Sequence, residues 1–209
     1  MTGLRERKKL QTRQHIAHTA LRLFAERGFD AVTVDEVARA AEVSKKTVFN
    51  YFPTKEDLVF GEADLREAHL VALVRERAPG VSLADAFRDR AVDFLRRLAD
   101  QAPDFNHVTK LQLINSSPSL QRRAHETHTK QAYAVARALA ELTNAPDSDP
   151  LPLIVAHTLL GAHRAFFLEC HRRLATGDDP AAVASELEPH IHRIYNLLAN
   201  GLAGYALTG

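Results

Sequence analysis

Between Ala41 and Leu58 the chain gathers three lysines, several small polar side chains and three aromatics into eighteen residues. Ser44, Lys45, Lys46 and Thr47 stand together at what reads as the start of a short helix. Asn50 follows one turn later, on the side of Lys46 and Thr47. The chemistry open to such a set is recognition of base edges. Lysine can donate to the O6 and N7 pair of guanine, asparagine suits N6 and N7 of adenine, and a threonine methyl can touch a thymine methyl. Tyr51 at the helix end and Lys55 at the next helix start are placed to donate to phosphates. Thr33 and the free amides opening the preceding helix offer a further phosphate site. A helical hairpin with a solvated outer face would show the same pattern, so these residues alone leave both readings standing.

Such side chains need short helices set across a tight turn, and the punctuation for them is present. Ile16, Ala20, Leu23 and Phe24 share one face of a first helix expected over 5–27, which Gly28 ends in a left-handed conformation. Thr33 with Glu36 spells a capping box, and Val34, Val37, Ala38 and Ala41 recur at helical spacing behind it. Ser44 caps a third helix. It must stop near Phe52, because Pro53 disfavours helical geometry in the residue before it. Val48 and Phe52, four apart, should face Phe24, Val37 and Ala38. Two helices joined this way form a helix-turn-helix, whose second helix enters the major groove by its N-terminal end.

The rest of the chain reads as helices too, with no period-two alternation. Thr54 and Asp57 open a fourth helix expected to run on to Arg77. Leu83, Phe87, Phe94 and Leu98 mark a fifth, and a shorter one covers about 104–115. Ser117-Pro118-Ser119 starts a long helix to about Leu142, followed by a loop over 144–149. Helices are then expected over 151–175 and, after Pro180, along the stripe Val183, Leu187, Ile191, Ile194, Leu198 and Leu202. The expected fold class is all-α: an N-terminal three-helix helix-turn-helix domain over 1–54 and a C-terminal helical domain over 55–209.

Charge supports nucleic acid at one end of the molecule. Residues 1–60 carry eleven Lys and Arg against eight Asp and Glu, a net of +3 within a chain whose formal total is +1. The sharpest excess is Arg5, Arg7, Lys8, Lys9 and Arg13 against Glu6, which a solvated helix start would equally explain. Cys170 is the only cysteine, so an intrachain disulfide and a cysteine-built zinc site are excluded. No apolar run approaches the ~20 residues of a membrane span, and no apolar segment follows the basic N-terminus as in a secretory signal. A cytoplasmic location, away from membranes, is expected.

Residues 10–58 resemble the DNA-binding domain of the TetR family of bacterial transcriptional regulators. The resemblance rests on Ile16, Ala20, Leu23-Phe24, Gly28-Phe29, Thr33-Val34, Val37-Ala38, Ala41, Val43-Ser44, Thr47-Val48-Phe49, Tyr51-Phe52, Lys55 and Leu58. It implies that the third helix reads a palindromic DNA operator, and that Thr33, Thr47, Tyr51 and Lys55 contact the sugar-phosphate backbone. Phe49 stands where many members carry Tyr, which removes one phosphate hydrogen bond. Lys46 fills a position that is often Gly and adds a cation near the groove.

The same resemblance implies a C-terminal domain that binds a small-molecule effector and forms a homodimer through the last two long helices. Leu160, Phe166, Leu187, Ile191, Ile194 and Leu198 are the interface candidates, the alternative being that both stripes are used up in the chain's own core. For an effector cavity, Phe87, Phe94, Phe105, Leu111 and Phe167 offer apolar walls, and His107, Asn115 and Arg164 offer polar fixing points. That mix favours a largely apolar molecule that releases a repressor from DNA. Eleven histidines and Cys170 raise the alternative of a metal- or redox-responsive regulator, but no three or four ligands converge in sequence and no metal site is expected. No nucleophile-and-base pattern, Gly-rich phosphate loop or carboxylate pair points to an enzyme, and no cofactor is expected.

Overall fold

The structure is a computed structural model and describes residues 3–61, 63–100 and 105–201; the side chains of residues 4, 5, 105–108 and 111 fall outside the description. Among the described residues the regular elements are ten α-helices. They are α1 (Leu4–Arg27), α2 (Val34–Ala40), α3 (Lys45–Tyr51), α4 (Asp57–Phe60), α5 (Ala63–Arg75), α6 (Leu83–Asp100), α7 (Phe105–Ser116), α8 (Pro118–Thr143), α9 (Leu151–Ala175) and α10 (Pro180–Gly201). The all-α expectation holds.

The chain forms two compact units, Met1–Ala63 with Asp104–Glu126, and Asp64–Pro103 with Thr127–Gly209. The first is built on Ile16, Ala20 and Phe24 of α1, Val37 and Ala38 of α2, and Val48 and Phe52 around α3, all buried together as the helical spacing predicts. Leu58, Val59 and Phe60 of α4 join this core, as do Leu113 of α7 and Leu120 of α8. These apolar insertions are why compactness divides the chain differently from a boundary at 54/55. The second unit packs α10 against α6 and α9 around Phe87, Leu95, Leu139, Leu159, Ile191 and Tyr195.

The continuous fourth helix expected from Thr54 to Arg77 is instead divided into α4 and α5. The reason is tertiary. Gly61 sits so close to Phe52 that a Cβ there would lie 2.7 Å from Phe52 Cε1, and the Gly61 carbonyl accepts a hydrogen bond from Arg13 Nη2 at 2.5 Å.

By length and composition α9 could cross a membrane, which the sequence reading did not foresee. It is a core helix of the second unit, burying Val155, Ala156, Leu159, Leu160 and Cys170.

Candidate nucleic-acid interface

The turn between α2 and α3 is set by backbone chemistry. Val43 N donates to Ala38 O at 3.0 Å, and Glu42 takes φ 54°, a left-handed conformation rarely adopted by a residue with a side chain. Ser44 then opens α3 by accepting from Thr47 N at 3.0 Å, and its hydroxyl lies 2.8 Å from Thr47 Oγ1. Val48 and Phe52 anchor the rear of α3 in the core at 1% exposure each, which leaves Lys45, Lys46, Phe49 and Asn50 facing solvent. The two lysines occupy the first turn of the helix, where the macrodipole disfavours cations by ~0.3–1 kcal/mol each. A folding disadvantage of this kind is expected where the charge serves a ligand.

Around α3 the predicted contact residues have distinct surroundings. Lys45 Nζ pairs with Asp35 Oδ2 of α2 at 2.7 Å, both side chains more than half exposed, so the pair is weak and exchangeable. Tyr51 is half-buried against the first unit's core. Lys55 Nζ lies 4.3 Å from the Phe29 ring centroid and 3.5 Å from Asp30 O; partial burial lowers its pKa, opposed by Asp30 and neighbouring acids. Thr33 N and Oγ1 both donate to Glu36 Oε2, at 2.7 and 2.8 Å, and Glu36 N donates back to Thr33 Oγ1, completing the expected capping box. These hydrogen bonds, with Arg27, hold the Glu36 carboxyl down at about 2. The Thr33 hydroxyl is therefore already engaged within the protein.

The basic N-terminal cluster divides in two. Arg7, Lys8 and Lys9 are exposed on the first turns of α1, whereas Arg13 turns inward. Its guanidinium stacks 4.9 Å from the Phe52 centroid and donates to Tyr51 O and Gly61 O. Arg13 is thus a clamp behind α3, a role its place in a run of positive charge concealed.

Taken together, an anchored helix presents two lysines and an asparagine to solvent beside a capped helix start. Comparison with known proteins gives the setting of this geometry. Residues 16–61 match the model of the bacterial regulatory proteins of the tetR family, and residues 81–203 match the MftR C-terminal domain, a stretch longer than half the chain. The chain belongs to the TetR family. It is 29% identical over 155 residues to the Mycobacterium tuberculosis protein named as the mycofactocin biosynthesis transcriptional regulator MftR, covering 74% of this chain and 77% of that one. It is 26% identical over 193 residues to the transcriptional regulator TcmR of Streptomyces glaucescens, covering 88% and 84%. Its fold is similar to that of GusR from Salmonella enterica, with a TM-score of 0.58 at 18% identity over 91% of this chain and 95% of that one. At that identity the likeness is one of fold. This TetR-family chain is a DNA-binding regulator of transcription, not an enzyme.

The effector-cavity candidates of this TetR-family member do not form one group. Phe87 is fully buried, and half-buried Phe94 packs its ring 4.5 Å from that of Phe167 in the second unit. Arg164 of α9 is exposed. Asn115 lies on α7 in the first unit, exposed, its backbone carbonyl accepting from Gln121 Nε2 at 3.0 Å. Phe105, His107 and Leu111 are also on α7, with side chains outside the described residues. Two residues not anticipated belong to the aromatic layer: His163, 4.5 Å from Phe167 between ring centroids, and Tyr195, whose hydroxyl is 3.4 Å from His163 Nδ1. Burial, reinforced by Arg90, depresses the His163 pKa to about 3, so the ring is neutral at ordinary pH. The signal for His163 in sequence was the i, i+4, i+8 series His163, Phe167, His171 on α9.

Of the dimer candidates, Leu160, Phe166 and Ile191 are 3%, 5% and 0% exposed within the single chain. Within the single chain they belong to the core of the second unit. Leu187 and Leu198 pack partly buried against that core, and Ile194 is half-buried. The stripe on α10 faces α6 and α9 of its own chain. For the metal- or redox-responsive alternative, no group of three or more His, Cys, Asp or Glu able to hold a metal ion occurs among the described residues. Cys170 is fully buried, and burial pushes its thiol up to about 11, away from the reactive thiolate.

Proposed function

We propose that the protein is a ligand-responsive repressor that binds a palindromic operator as a homodimer and is released by a small, largely apolar molecule. The observation that carries the operator reading is α3 itself, with Lys46 and Asn50 exposed on a helix whose opposite face is locked into the core. Direct readout needs side chains held in register with base edges, and a helix anchored by Val48 and Phe52 supplies that. Ser44, Lys45 and Thr47 complete the helix start, while Thr33, Tyr51 and Lys55 are the backbone-contacting set. DNA would have to exchange with Asp35 for Lys45, with Glu36 for Thr33, and with the Phe29 face for Lys55.

A single short helix reads too few base pairs for a specific site, so a twofold assembly is required. Exposed apolar side chains support its placement on the outer faces of α9 and α10: Ile154, Leu168 and Leu197 are 56%, 41% and 68% exposed in the single chain. Leu187, Ile194 and Leu198 would then border the interface. The second unit houses the effector, which acts by binding better to a conformation whose two α3 helices are wrongly spaced for DNA. A regulator of this kind works in the cytoplasm. Selection of bound fragments from a random DNA pool tests the reading. The expected product is an inverted repeat with half-sites one helical turn apart or a multiple of it; enrichment of a non-symmetric sequence, or none, would reject it.

A further inference from the structure

Arg90 on α6 is the outlier among the basic side chains of the second unit. Its Nε is buried and has no hydrogen-bond partner among the described residues. Arg97 adds like charge nearby, and burial with that repulsion lowers the Arg90 pKa, although a guanidinium stays charged in any protein. The neighbouring Arg77 is different: its Nε donates to Val81 O at 3.1 Å and its Nη1 to Val74 O. A buried donor on a charged group left without an acceptor is destabilising, so an Arg kept in this state calls for an explanation outside folding.

Its surroundings provide one. Arg90 lines an open depression of about 360 Å³ whose other walls are His69, Ala72 and Leu73 of α5, with Glu76 and Arg77 following the helix end. His69, Ala72 and Leu73 are spaced i, i+3 and i+4, so they form one helix face. Ala72 and Leu73 are its apolar middle, while His69 and Glu76 are exposed at its margins. Arg90 also lies close enough to His163 to act on its charge.

We propose that this depression binds a small amphipathic organic acid, its carboxylate taken by the Arg90 guanidinium and its apolar body lying along Ala72 and Leu73. Charge-assisted pairing with a carboxylate compensates the positive charge of a partly buried guanidinium that has Arg97 as a like-charged neighbour. The volume falls at the small end of the ~300–1,000 Å³ usual for ligand pockets. This inference rests on the reading of the second unit as the effector domain, and it assigns the chemical class of the effector.

The test is calorimetric titration of decanoate and of decanol into the full chain at neutral pH, without DNA. The parent, Arg90→Met and Leu73→Glu are compared. Decanoate should bind the parent at least about tenfold more tightly than decanol, a difference of about 1.4 kcal/mol. That preference should vanish in Arg90→Met with decanol affinity unchanged. Leu73→Glu, which sets a carboxylate in the depression and leaves Arg90 in place, should lose decanoate by a similar factor even if the Met variant failed to fold. A merely structural Arg90 would leave the acid-over-alcohol preference intact in a folded Met variant, and that result overturns the proposal, as does equal or absent binding of the two probes by the parent. Operator affinity is measured separately. Decanoate that binds through Arg90 without changing operator affinity would leave the site standing and remove the effector reading; operator release by decanol and decanoate alike would do the reverse.

Discussion

Arg123 of α8 donates from Nη2 to Asp57 Oδ1 at 2.7 Å, across 66 residues of sequence. The other Asp57 oxygen accepts from Thr54 N at 3.0 Å, and Asp57 N donates to Thr54 Oγ1 at 3.2 Å. One carboxylate thus both closes the Thr54–Asp57 turn ahead of α4 and ties α4 to the start of α8. Asp57 is well shielded, whereas the Arg123 side chain is 40% exposed, so the ion pair itself contributes less than the cap. Asp57→Ala should cost about 0.5–2 kcal/mol, the usual range for losing side-chain to backbone hydrogen bonds at a helix start. Asp57→Asn keeps an acceptor for Thr54 N and should cost visibly less. Urea denaturation of the two variants checks the order; equal losses would assign the stabilisation to Arg123 instead.

Much of this region could be read in advance because its signals are local. Gly28 after α1, the Thr33–Glu36 box, the Ser44 cap and the Pro53 stop each act within one turn of the helix end they set. The break after α4 could not be read, because it depends on Phe52 and Arg13 meeting Gly61 from elsewhere in the fold. The stripe on α10 was legible as a stripe. Which surface covers it was not, since an apolar face carries no mark telling a partner's helix from its own chain's α6. Asn115, chosen for its residue type alone, lies in a different compact unit from Phe87 and Phe94.

On DNA, Asn50 and Lys55 should fail differently. Asn50→Ala is expected to cost about 1–3 kcal/mol on the selected operator and to relax preference at one base pair. Lys55→Ala should weaken all sequences alike and flatten the dependence of log K on log salt by about one unit. It should also lose a cation–π contact with Phe29, worth about 0.5–1 kcal/mol of stability at an exposed site. Affinities across a salt series, on operator and on random DNA, separate the two. Equal losses on both DNAs for Asn50→Ala would remove it from base reading.

His163 makes stability depend on pH in a defined window. Its folded pKa of about 3 lies below the ordinary 6.5. Between those values the unfolded chain binds a proton that the folded chain refuses. Stability is therefore complete above the ordinary value and falls as pH drops toward 3. At ~1.4 kcal/mol per pH unit, two units of acidification remove about 3 kcal/mol. Glu36 acts in the same direction but lower, losing its contribution as pH falls from 4.5 toward 2. His163→Gln retains a hydrogen-bonding group beside the Tyr195 hydroxyl and does not titrate, so denaturation midpoints of this variant should be flatter between about pH 6.5 and 4.5. Parallel curves for variant and parent would show that the ring protonates freely.

The dimer is tested by contrasting two positions on α10. Leu197 is 68% exposed in the single chain, and Ile191 is fully buried. Leu197→Glu places a charge on the outer face, where the lone chain can hydrate it but an apolar interface cannot. It should leave the helical circular dichroism spectrum unchanged, halve the mass seen by light scattering, and abolish operator binding. Ile191→Glu forces the same charge into the second unit's core and should unfold that unit, with loss of helix signal. A folded dimer of full mass from Leu197→Glu would move the interface off this face. A folded monomer from Ile191→Glu would place Ile191 at the partner surface after all, against its burial beside Phe166 and Tyr195 in the same core.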